Sequence, residues 1–117
     1  MTENIKIMAL ERGRLSTVVQ VSAGSTVGIT TVANNKKIYV KSIVVHDTGL
    51  GGTRDTQVYY VENGQSVSID NRIFHVSASH KETILIEPSY PIILTQTGDA
   101  IHVGSGTTTN ILILGDK

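Results

Sequence analysis

Apolar residues come along this chain in short runs, alternating or doubled, and each run is bounded by Gly, Asn, Asp or Ser. Turn signals fall at 23–25, 34–35, 49–52, 63–64, 70–71, 79–81, 88–89, 98–99 and 104–106, mostly 7–13 residues apart. Between them the pattern predicts strands near 17–22, 27–32, 37–46, 55–62, 73–78, 82–87, 91–95, 100–104 and 109–114, with a short extra strand at 66–69. Eight or nine strands with short connections predict an all-β fold, a two-sheet antiparallel β-sandwich of jelly-roll or immunoglobulin-like topology. The pattern does not separate those two topologies.

Composition points the same way. Val, Ile and Thr number 13, 14 and 14 of 117 residues. These side chains are stiff at χ1 and suit a pleated surface better than a helix. Two turns have a specific rationale. Asn63-Gly64 lies between Val58-Tyr59-Tyr60-Val61 and the Val67/Ile69 alternation, and both residue types tolerate positive φ, which predicts a hairpin. Gly98-Asp99 precedes the alternating Ile101 and Val103; Gly frees the backbone and Asp accepts from turn amides.

Residues 1–15 do not fit the strand rhythm and are assigned to an N-terminal arm, with residues 16–117 forming the β domain. Ile5, Ile7, Met8 and Leu10 make the arm apolar, and Arg12 and Arg14 make its end basic. A stretch this short is not a stable helix alone, so its apolar residues are expected to be buried, first of all on a partner and otherwise on the chain's own β domain. Arg12 and Arg14 are expected to meet acidic groups on that partner.

Several strands are apolar on both faces: Ile43-Val44-Val45, Ile84-Leu85-Ile86, Ile92-Ile93-Leu94 and Ile111-Leu112-Ile113-Leu114. Successive side chains point to opposite faces, so one set enters the core and the other must be covered. The arm, a loop or a second subunit could each provide that cover.

Charge and chemistry narrow the function. Ten basic and ten acidic residues give no net charge, against the basic excess that nucleic-acid binding needs. No cysteine is present, which excludes a thiol nucleophile or a zinc ribbon. The longest apolar runs are four residues, so neither a signal-peptide core nor a membrane helix is expected. His75, His80 and Glu82 span a strand end and a turn rather than a metal-ligand spacing, and His46 and His102 lie apart from them. No Gly-x-Ser-x-Gly elbow occurs, and the glycines at 49–52 lack a following Lys-Ser/Thr. No catalytic residue, metal or cofactor is therefore expected. Tyr59 and Tyr60 point to opposite faces, which leaves one ring available to a sugar.

The order of segments also resembles a known group. Arg12-Gly13-Arg14-Leu15-Ser16-Thr17 leads into a strand. Lys37-Ile38-Tyr39-Val40-Lys41-Ser42-Ile43-Val44-Val45-His46-Asp47-Thr48 and Thr56-Gln57-Val58-Tyr59-Tyr60-Val61 follow. Tyr90-Pro91-Ile92-Ile93-Leu94, Gly98-Asp99-Ala100-Ile101 and Asn110-Ile111-Leu112-Ile113-Leu114-Gly115 complete the series. Across residues 12–115 this resembles the small β-sandwich virion proteins of tailed bacteriophages: head decoration (cement) proteins, head fibres or tail-fibre modules. Asp47 stands where that pattern has Asn. The resemblance implies a non-enzymatic virion protein, made in the host cytoplasm, that binds and stabilises the head shell. Its implied partners are the major capsid protein or another virion protein and further copies of itself, as a dimer or trimer, but neither nucleic acid nor a membrane. The alternative it implies is a receptor- or carbohydrate-binding fibre module.

Overall fold

The computed structural model of the protein describes residues 12–34 and 36–117; the side chains of Arg12 and of residues 50–54 lie outside that description. Among the described residues eight strands follow one another: β1 (Arg12–Arg14), β2 (Val19–Val21), β3 (Ser25–Thr31), β4 (Ile38–Val61), β5 (Arg72–Val76), β6 (Thr83–Ile86), β7 (Ile92–Leu94) and β8 (Ala100–Asp116). Among the described residues the one helical piece is a 3-10 turn, Ile69–Asn71.

The chain is all-β and antiparallel, and its strands belong to one curled, hydrogen-bonded sheet rather than to two separate sheets. The backbone of the sheet is a long ribbon of β4 against β8, in register from Tyr39↔Asp116 to Val61↔Ala100. Short strands line both edges of this ribbon. β1, β2 and β3 pair in succession along β8. β7, β6 and β5 pair in succession along β4.

The expected separate sheets merge because two expected turns are corners instead. The glycines at 49–52 and at 104–106 do not reverse the chain; the paired strands run through them. Register slips between Val40 and Ser42, Asp47 and Leu50, and Gly51 and Thr56. All the surplus residues lie on β4, and extra residues on one strand bend and twist a ribbon.

The inward side of β8 records the bend. Ile101, Val103, Ile111 and Ile113 are fully buried at its two ends. Ser105, Thr107 and Thr109 are buried between them and satisfy one another. The Ser105 and Thr109 hydroxyls lie 2.9 Å apart, Ser105 Oγ donates to the Asp55 carbonyl at 3.2 Å, and Thr109 Oγ1 donates to the Thr107 carbonyl at 3.1 Å. Buried hydroxyls that find partners avoid the desolvation cost that would exclude them. Apolar residues from both ends of the ribbon meet in one core, with Val21, Val40, Ile43, Val45, Val58 and Leu94 among its fully buried members.

Two further sequence expectations change. The segment at 66–69 is not a strand, and Asn63-Gly64 does not close a two-residue hairpin. A turn does form, with Gln65 N donating to Glu62 O at 2.9 Å. However, only Gly64 has positive φ, whereas the two-residue hairpin turn favoured by Asn-Gly needs it at both central residues. The chain therefore runs on through the 3-10 turn, capped by Ser68, and returns as β5 against Thr56–Tyr59 of β4. Residues 12–14, assigned to the arm by the sequence, form β1 at the edge of β8.

Candidate docking surface

Where β1, β2, β8, β4 and β6 run side by side, alternation splits the side chains cleanly. Ile111, Ile113, Ile43, Val45 and Ile86 turn inward and are buried. Their neighbours turn outward and line up across the strands in three rows. The middle row is Val18, Leu112, Val44 and Leu85: Val44 pairs with both Leu112 and Leu85, and Val18 continues β2 by one residue towards Leu112. Val18 is 60% exposed and Leu85 52%. Leu112, Val44 and Leu85 are outward residues of three of the four doubly apolar runs seen in the sequence, gathered into one stripe with Val18.

Polar rows flank the stripe. On one side lie Gln20, Asn110, His46 and Thr83, tied in pairs: Gln20 Nε2 donates to Asn110 Oδ1 at 3.3 Å, and His46 Nδ1 lies 2.8 Å from Thr83 Oγ1. On the other side lie Arg14, Leu114, Ser42 and Glu87, with Glu87 one residue past the end of β6. Arg14 and Glu87 are exposed at opposite edges of that row. Beyond it, the extra residue of the first β4 bulge, Lys41, reaches Asp116 at 2.7 Å.

The outer face of the other half of the sheet is polar. Its rows contain Thr26, Gly104, Gln57 and His75, then Gly28, His102, Tyr59 and Arg72. The Asp55 carboxylate accepts from Gln57 Nε2 at 3.0 Å and lies 3.2 Å from His75 Nε2. Beside it is an open depression of about 260 Å³ lined by Gly24, Ser25, Thr26, Asp55, Gln57 and Ser105. The His102 ring covers Gly28, where a Cβ would come within 3.2 Å of it. Burial lowers the pKa of His102. Tyr60 turns towards the core, and its phenol pKa is raised by burial and by the nearby Asp99 and Glu62 carboxylates.

The structure separates the histidines: His46 bonds Thr83, His75 pairs with Asp55, His80 lies against Gly49 and His102 lies against Gly28. Among the described residues no three His, Asp or Glu side chains are grouped to hold a metal ion. Of the residues expected to bind a partner, Arg14 stands exposed at the rim of the apolar stripe. The Arg12 backbone pairs with Asp116, and its side chain lies outside the described residues, as do Ile5, Ile7, Met8 and Leu10. Sequence reasoning missed Glu87 and Val18 as parts of this face. The signal was parity, since each stands an even number of residues from an outward neighbour on its own strand, Leu85 and Gln20. No family model, curated protein or solved structure matches the chain.

Proposed function

We propose that the protein is a structural, non-catalytic subunit that docks onto protein through the apolar outer stripe of its sheet. We further propose that it does so in a tailed-phage virion, as a decoration protein that binds and stabilises the head shell. The observation that supports docking is the cross-strand row Val18, Leu112, Val44 and Leu85, with its two end residues more than half exposed. An antiparallel sheet normally shows water a polar face. Burying apolar surface contributes about 25 cal/mol per Å², so covering the stripe is favourable.

The virion assignment rests on the ordered sequence resemblance. In it the arm residues Ile5, Ile7, Met8, Leu10, Arg12 and Arg14 add to the contact with the major capsid protein or another virion protein. The curled sheet is then a sandwich of jelly-roll or immunoglobulin-like kind whose two layers share β4 and β8. Imaging of virions carrying a labelled chain tests the assignment. Many copies over the head shell are expected, and absence from the particle would overturn it.

The polar depression beside Asp55, Gln57 and His75 favours a second reading, a fibre module that binds carbohydrate hydroxyls. A few copies at a tail tip, together with saturable binding of a soluble glycan that is lost in Asp55→Ala, would select it.

A further inference from the structure

The outer stripe and its rim are complementary to themselves, and we infer that a second copy of this chain covers them. The inference rests on reading this face as a docking surface and names its occupant. The row that flanks the stripe carries Arg14 at the β1 edge and Glu87 at the β6 edge, with Leu114 and Ser42 between them. Both charged residues are exposed, and neither forms an ion pair among the described residues. Consider two such faces stacked about a two-fold axis that lies between the sheets and runs along the strands. The axis keeps each row at its own height and exchanges its two ends. Leu85 of each copy then lies over Val18 of the other, and Val44 over Leu112. Arg14 of each copy lies over Glu87 of the other, so one operation forms two opposite-charge pairs and closes the apolar stripe, as a two-fold interface requires. An axis running across the strands instead sets the charged row over the row of Gln20, Asn110, His46 and Thr83, so it closes the stripe but gives neither Arg14 nor Glu87 an opposite charge.

Size sets the strength. Four strands about 4.8 Å apart, crossed by three rows about 7 Å apart, give a face of about 400 Å² in projection. A standard interface buries about 800 Å² per partner. The pairing is therefore concentration-dependent in the isolated protein. The rim charges select the partner and the orientation more than they add affinity.

Sedimentation equilibrium of the full chain across a concentration series tests this. The wild type is expected to move from monomer to dimer. Arg14→Glu alone and Glu87→Arg alone each place like charges opposite one another twice, and each is expected to weaken self-association at least tenfold. An equimolar mixture of the two variants restores opposite charges at both positions and is expected to dimerise as well as the wild type or better. Leu85→Arg, at an exposed position, is expected to remain folded by circular dichroism and to stay monomeric. A wild type that stays monomeric at millimolar concentration overturns the inference, as does a mixture no better associated than its components. If the wild type stays monomeric but Leu85→Arg abolishes attachment to particles, the docking reading stands and the second copy is the wrong occupant.

Discussion

The Tyr60 hydroxyl donates to the Ile93 carbonyl at 2.9 Å, and this bond ties the two ends of the curled ribbon together. Tyr60 lies near the C-terminal end of β4, whereas Ile93 belongs to β7, which pairs with the N-terminal end of the same strand. Tyr60→Phe keeps the ring in the core and removes the bond. A neutral hydrogen bond contributes about 0.5–1.5 kcal/mol, so urea unfolding is expected to show a loss of about 1 kcal/mol. The raised phenol pKa sets the sign of the alkaline dependence. Its contribution is fully present below the unfolded value of 10.0 and is lost as pH rises through the folded one, so Tyr60→Phe should flatten the loss of stability above pH 10.

Asp99 holds two turns together. It is almost fully buried, and its carboxylate accepts from Asn63 N at 3.0 Å and from Gln96 N at 3.1 Å. Asp99→Ala leaves both amides short of a partner. Bonds to a charged group contribute about 1.5–3 kcal/mol, and the expected cost is about 3 kcal/mol by chemical denaturation. Asp99→Asn keeps one carbonyl acceptor and should lose less.

Two glycines separate backbone strain from steric clash. Gly64 has φ +85 with open space around it, so Gly64→Ala is expected to cost about 1–2 kcal/mol from the left-handed backbone alone. At Gly115 a Cβ would run into the Tyr39 carbonyl of the neighbouring strand. Gly115→Ala must push β8 away from β4 beside the bulge at Lys41, and it is expected to unfold the chain at a markedly lower denaturant concentration than Gly64→Ala.

His102 gives an acid-side prediction. Burial lowers its pKa below the ordinary 6.5, so between the two values the unfolded chain binds more protons than the folded one. Stability is therefore expected to fall as pH drops through 6.5 towards the folded value. His102→Gln should reduce that slope in a series of thermal melts, and an unchanged slope would contradict the assignment.

The strand rhythm was legible because side-chain parity is local: every expected strand except 66–69 has a counterpart. The continuity of β4 and β8 was not. Glycine clusters at 49–52 and 104–106 mark a turn and a bulged corner equally well, and only the partner strand decides between them. The Gly98-Asp99 turn was legible because its side chain acts within it. At Asn63-Gly64 the turn was legible and the return strand was not, because Asn63 keeps a negative φ in the turn that ties Glu62 to Gln65 and the chain comes back only as β5. As for the candidate docking face, the doubly apolar runs announced that an apolar outer surface existed. Its composition depends on register, which sets Arg14 and Glu87, 73 positions apart in sequence, at the two ends of one row.

The central claim is that the stripe of Val18, Leu112, Val44 and Leu85 is covered when the protein does its work. Carbene footprinting of the chain, first alone at low concentration and then in assembled particles, measures this directly. The account predicts heavy labelling of Val18 and Leu85 in the isolated chain and strong protection of both in particles, with Tyr90, 84% exposed outside the stripe, as the reference. Equal labelling of Val18 and Leu85 in the two states would contradict it.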